Sequence, residues 1–167
     1  MLEKMQFDNS DMPEVAVLMG SNSDWPVMKN CTAKLDELGI PFQVRVLSAH
    51  RHPSHVEEYV SGTSAKLFIC AAGLAAHLGG VVASLTHKPV IACPMKGGVM
   101  DGVDALLSMV QMPFGLPVAT VAVGSHGARN AAVLALQMLA MSDEKHAATL
   151  SKFRAEISDP GTKCPVE

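Results

Sequence analysis

The stretch VAVLMGSNSDWP, residues 15–26, decides how this chain is read. Five consecutive apolar residues are too short a run for a helix and lack the alternation of a half-exposed strand, so 15–19 reads as a strand buried on both faces. Gly-Ser-Asn-Ser-Asp then breaks the pattern. Pro26 suits an early helical position, and the amphipathic stretch 24–38 ends at Gly39. A buried strand feeding a helix through a short polar loop is the repeating unit of a parallel sheet.

The same alternation continues outward. Apolar runs at 42–47, 67–72, 89–93 and 118–123 predict four more strands, and 54–65, 75–85, 103–112 and 128–140 predict the helices between and after them. The reading is a single α/β domain with a five-stranded parallel sheet covered on both sides. It comprises an N-terminal extension at 1–12, a sandwich over 13–141, a polar C-terminal helix at 142–158 packed on the outside or on a neighbouring subunit, and a loose tail at 159–167. No internal repeat or linker divides it.

Size and composition agree with that architecture. The 167 residues carry 13 basic and 16 acidic side chains, a net charge of −3, and are 49% apolar but only 17% charged. A chain of this length buries roughly 70% of its unfolded surface and folds without disulfides. Charge well below the usual level of about 25% points to surface buried between copies, hence a homo-oligomer. The balance lacks the clustered Lys and Arg of a nucleic-acid binder, and no apolar stretch is long enough for a membrane span. Cys31, Cys70, Cys93 and Cys164 form no C-x-x-C pair and read as reduced thiols. The first residues, MLEKMQFDNSDMPE, contain no apolar signal core, so the expectation is a soluble, cytoplasmic protein.

In a sheet of this kind ligands bind beyond the carboxyl ends of the strands. The loops there are GSNSD, SAHRHP, AGLAAHLGG, PMKGGVMDG and GSHGAR. The first sets Ser21, Ser23 and Asp24 at a helix start, where free N–H groups favour an anion; Ser23 or Asp24 as a plain helix cap fits equally well. The second sets His50, able to move a proton near neutral pH, beside Arg51, able to grip a phosphate at two points. A metal held by His50, His52 and His55 is disfavoured, because Pro53 interrupts their spacing and no acid or Cys completes the set. In the third, Gly73 and its small neighbours allow close ligand approach, and His77 reads first as a hydrogen-bonded structural histidine. His87 and His146 read as surface groups, and His126 stays open. Walker, G-x-G-x-x-G and G-x-S-x-G patterns are missing. What remains is a proton-transfer site beside an anion site.

At these loops the chain resembles the N5-carboxyaminoimidazole ribonucleotide mutases of purine biosynthesis, also described as the catalytic subunit of phosphoribosylaminoimidazole carboxylase. The likeness rests on VLMGSNSDW at 17–25, SAHRHP at 48–53, AAGLAAHLGG at 71–80, GVDALLSMVQMPFGLPV at 102–118 and GARNAAVLALQMLA at 127–140. The resemblance implies a flavodoxin-like three-layer α/β/α sandwich, a homo-octamer with sites at subunit contacts, a small ribonucleotide substrate, and no metal or organic cofactor. It places Ser21, Asp24 and Arg51 where the family binds its ribonucleotide, with Ser23 and Ser48 nearby, and His50 on the proton-carrying histidine. His77 matches a histidine of the family's GGAAHLPG segment, and Ala75, Ala76 and Leu78 become a small apolar wall that holds CO2. SAHR, rather than the SAHK of the class that takes CO2 directly, favours the mutase. Two alternatives stay open: that direct carboxylase, and a flavodoxin-like nucleotide-binding module without catalysis. The chain departs from the family in reading Gly79 for the proline of HLPG, Leu74 for the second glycine of AGG, Phe114 for the arginine of QMPRG, and PMKGGVMDG for the more common loop after the fourth strand.

Overall fold

The computed structural model describes residues 8–159. Residues 1–7, Cys164 and all but the first residue of the expected tail lie outside them. The elements are β1 (Val15–Met19), α1 (Trp25–Glu37), β2 (Phe42–Val46), α2 (Pro53–Gly62), β3 (Leu67–Ala72), α3 (Leu78–Leu85), β4 (Val90–Pro94), α4 (Val103–Val110), β5 (Ala119–Thr120), α5 (Ser125–Leu139) and α6 (Glu144–Ser158). The five strands are all parallel, in the order β2-β1-β3-β4-β5. This is the flavodoxin-like order, which reverses between β1 and β3 and opens a crevice at their carboxyl ends.

Alternation along the buried strands builds the three layers. On β1, Val15, Val17 and Met19 face one side, where α1 and α5 bring Met28, Leu35, Ala131 and Leu136. Ala16 and Leu18 face the other, against Val56 and Tyr59 of α2, Val82 of α3 and Met109 of α4. Both faces are therefore dry, which explains why the central strands read as unbroken apolar runs. Among the described residues no helix is long and apolar enough to cross a membrane.

Residues 8–10 run along the outer edge of β2. Asp8 accepts a hydrogen bond from the Val44 N–H (2.7 Å) and Asn9 accepts one from the Phe42 N–H (2.7 Å), and the Asn9 N–H donates to the Phe42 carbonyl. Asp8 also pairs with the buried guanidinium of Arg45 at 2.7 Å.

Several boundaries differ from the expected ones for identifiable reasons. The helix expected from 75 starts at Leu78, because Leu74 takes a left-handed φ of 57° and holds the preceding loop open. The strand expected over 118–123 is only Ala119–Thr120, an edge strand paired on one side alone. The helix expected to 112 stops at Val110, since Pro113 disfavours helical backbone at Met112. Conversely, α5 begins at Ser125 rather than 128. Gly127 lies so close to the Ala122 carbonyl that any Cβ would collide with it, so a glycine is what allows the first turn to dock there.

The reading of His146 as a surface group is overturned. It is 2% exposed and its Nε2 lies 2.7 Å from Glu14 Oε2. The helix that carries it, α6, packs against α5, and Leu150 and Phe153 meet the α1/α5 core. Polar composition misleads here because the polar residue itself is the anchor. Asp143 caps the helix, accepting from the N–H groups of Lys145 and His146, and Lys66 pairs with the same Glu14 at 2.6 Å.

Burial alone would raise the Glu14 carboxyl, but the hydrogen bonds and charges of Lys66 and His146 hold it below its ordinary 4.5. Its stabilising contribution is therefore complete above about pH 4.5 and disappears as pH falls through the lower folded value. Replacing His146 with Ala is expected to cost about 2 kcal/mol, through the cavity left by a buried ring and the loss of one of the two partners of Glu14, and to flatten the acid limb of the stability curve. Urea unfolding between pH 3 and pH 7 measures both, pH values chosen to bracket the ordinary carboxylate range of about 4.

Candidate active site

At the crevice between β1 and β3, four of the five loops meet around a cavity of about 390 Å³. Ser21, Ser23, Asp24, Ser48, His50, Arg51, Gly73, Ala75, His77 and Leu78 all line it. Ala76 does not. It is 1% exposed and belongs to the core beneath the loop, so it supports the wall rather than forming it. Gly20, Ala49, Ala72, Leu74, Met95 and Lys96 complete the lining and were not among the residues picked from sequence. Met95 and Lys96 come from the end of β4, a loop that offers no familiar motif; the available signal was the strand order, which brings that end beside β3.

The β1 loop is locked by a reciprocal pair of bonds. Ser21 caps the short 3-10 turn Asn22–Asp24, its Oγ accepting from the Ser23 N–H (3.2 Å), while Asp24 Oδ2 accepts from the Ser21 N–H (3.1 Å). Ser23 donates its hydroxyl to Ser21 Oγ at 2.9 Å. Ser21 Oγ thus accepts twice, and its own hydrogen is left to serve a ligand oxygen. Asp24 is buried, which pushes its carboxyl above its usual range, opposed by the Ser21 N–H and the Arg51 charge. The cap of this loop is thus Ser21 rather than Ser23 or Asp24: Asp24 is the internal strut, makes no side-chain cap bond to α1, and both serines line the cavity.

Arg51 reaches back over this loop, its Nη2 donating to the Gly20 carbonyl at 2.8 Å. Its backbone N–H donates to Ser48 Oγ (3.3 Å), and the Ser48 N–H donates to His52 Nδ1 (3.3 Å). His52 therefore braces the turn, and its ring meets His55 edge-on rather than His50. The histidines weighed as a metal set do not converge: His50 turns the other way, and its Nε2 lies 2.8 Å from His77 Nδ1, with the rings edge to face. Glu14, Asp143 and His146 bring possible ligand atoms within 4.8 Å of one another, but this group sits at the amino end of the sheet and is occupied by capping and by Lys66.

His77 is exposed, and the hydrogen bond expected of it is made to His50 on the cavity wall. His126 is exposed in the first turn of α5 and is not part of the cavity wall, and His87 is at the surface as expected. Of the cysteines, Cys31, Cys70 and Cys93 are free and buried. Burial pushes all three thiols up, that of Cys93 to about 12 with the Asp24 charge adding to it, so none is a thiolate nucleophile. The cavity combines a hydroxyl and guanidinium cradle at one side, a pair of coupled imidazoles, and a wall of small groups from 73 to 78. That equips it to hold an anion and move a proton beside it.

Comparison with known proteins points the same way. The family model described as AIR carboxylase matches residues 14–159. An N5-carboxyaminoimidazole ribonucleotide mutase from Methanocaldococcus jannaschii is 52% identical over 143 residues, 86% of this chain and 89% of that one. One of the same name from Pseudomonas aeruginosa is 45% identical over 148 residues, 87% and 91% of the two chains. Among solved structures, PurE of Treponema denticola superposes with a TM-score of 0.75 at 30% identity, covering 84% of this chain and 89% of that one. Agreement in fold and in sequence across nearly all the described residues places the chain in the AIR carboxylase family.

Proposed function

We propose that this chain is an isomerase of purine biosynthesis that converts N5-carboxyaminoimidazole ribonucleotide to 4-carboxy-5-aminoimidazole ribonucleotide. The observation that carries the reading is the His50–His77 pair set beside the Ser21/Arg51 cradle in one cavity, in a chain whose relatives are named for that reaction.

The phosphate end binds where Ser21, Ser23 and Arg51 converge, with Ser48 and Asp24 holding the turns that present them. This remote contact orients the ring. The reaction then needs two proton movements that cancel. The carbamate N–C bond breaks as the amine nitrogen takes a proton from His50, leaving CO2 and an electron-rich imidazole. C4 attacks the CO2, and the proton displaced from C4 returns to His50. One imidazole serves both directions, and no net proton is gained or lost. Only one hydrogen fits between His50 Nε2 and His77 Nδ1, so His77 sets the tautomer and tilt of its partner: it is a positioning residue. Gly73, Ala75 and Leu78 keep the CO2 close and dry, so the second bond forms before it escapes.

The assembly we propose is a cytoplasmic homo-octamer. Val103, Leu107 and Val110 stand on one face of α4 and are 41%, 49% and 52% exposed, and Val99 and Phe114 beside that helix are fully exposed. A lone globule rarely leaves so much contiguous apolar surface wet, and this face would be covered by further copies of the chain.

Three outcomes test these statements. His50→Asn should bind the ribonucleotide within about threefold of wild type and lose at least about 100-fold in turnover, the scale of general acid–base catalysis. Unchanged activity in that variant would favour a non-catalytic binding module. Isotopically labelled bicarbonate should not be required for, nor obligatorily enter, the carboxylated product; obligatory uptake would identify a carboxylase that takes CO2 directly. Light scattering should give about eight times the 17.6 kDa chain mass, and a stable monomer would overturn the assembly.

A further inference from the structure

Lys96 is the one cation in the cavity that the mechanism above leaves without a task. It is carried by the loop after β4, and its neighbour Met95 donates its N–H to the Ala72 carbonyl at 3.0 Å, extending the β3–β4 pairing past the strand ends. Residues 95–96 are thereby laid against the third loop, where a Cβ on Gly73 would be 3.5 Å from that of Met95 and 4.0 Å from the Lys96 carbonyl. The following turn is built from Gly97, Gly98 and Gly102, all with positive φ, and from Asp101 at a φ of 45°. Glycine takes these positive φ values at no steric cost, and the turn so formed leaves Lys96 at the end of β4 on the cavity wall.

The sheet order sets the distance between the two cations of the pocket. Arg51 reaches over the end of β1 to bond Gly20, and Lys96 leaves the end of β4, with β3 between them. Neighbouring strands are about 4.8 Å apart, so the two charges anchor at points separated by about 10 Å. That is the order of the span from a ribose 5′-phosphate to the far edge of its heterocycle. The His50–His77 pair and the small wall lie within the same pocket. Lys96 is not committed elsewhere. Its nearest acid is Asp101 at 3.7 Å, both side chains are more than 70% exposed, and such a pair holds weakly enough to yield to a ligand.

We propose that Lys96 is a specificity-determining residue whose ammonium recognises the carboxylate carried by both substrate and product, at the end of the pocket opposite the phosphate. The assignment rests on the ribonucleotide reading of the cavity. A carboxylate is present before and after the transfer but not in the CO2 stage between, so the contact favours bound substrate and product over the states that connect them: it lowers KM and does not raise kcat. It also lets the pocket favour carboxylated ribonucleotides over the decarboxylated intermediate, which keeps its phosphate and loses that contact.

The test is titration calorimetry of wild type, Lys96→Met and Lys96→Arg with two probes, 4-carboxy-5-aminoimidazole ribonucleotide and 5-aminoimidazole ribonucleotide, together with steady-state kinetics. Lys96→Met should bind the carboxylated probe about 10-fold more weakly, the equivalent of one hydrogen bond to a charged group. Its affinity for the decarboxylated probe should stay within about twofold, KM should rise in step with the first loss while kcat does not fall, and Lys96→Arg should recover most of the lost affinity. Equal weakening toward both probes, or toward neither, overturns the assignment while leaving the proposed function intact. Wild type that binds neither probe overturns both.

Discussion

Everything at the functional end of this molecule depends on β1 being buried on both faces with parallel neighbours on both edges. β2 lies on one side and β3 on the other, in a register that aligns Met19 with Val46 and with Ala71. The loops that follow these strands therefore leave the sheet at the same level and must turn apart to start helices on opposite layers. The crevice is what that divergence leaves open. Much of its wall can therefore be short hydroxyls, imidazoles and bare backbone, with Arg51 and Lys96 as the long side chains.

Within the crevice, a buried carboxylate shapes what the surface presents. Asp24 spends its oxygen on the Ser21 N–H and is kept from water by the packing around it, with Arg51 close enough to offset part of the cost. The reward is a loop whose serines stand in fixed positions before any ligand arrives. Rigidity of that kind is what allows weak individual contacts to act as orientation. The third loop is fixed differently, by Leu74 in a left-handed conformation that a β-carbon tolerates poorly. Both loops are thus held by features that contribute nothing to the core.

How much of this could be read from the residues follows from how local each cause is. The buried strands were legible because two dry faces leave an unbroken apolar run, and the cavity lining was legible where strand-end loops carried Ser, His and Arg. Ala75 and Ala76 look like helix, yet the backbone at Leu74 delays the start of α3, and no propensity encodes that choice. His146 was misread because the partner that buries it lies 132 positions away, and the partner of His77 was not legible because it lies 27 positions away. Lys96 was missed for a similar reason: its meaning comes from lying beside β3, which is a property of strand order and not of the words around it.

The covering of β2 by residues 8–10 also governs how copies of this molecule can meet. An outermost strand with bare amide and carbonyl groups invites another strand to add to it, and repeated addition gives an open-ended ribbon. Here the side-chain oxygens of Asp8 and Asn9 already satisfy the amides of Val44 and Phe42, and the opposite border, β5, is only two residues long. Growth by strand addition is closed off at both borders, which leaves helical surfaces as the ground on which any copies would meet, and contacts there can close into a finite particle.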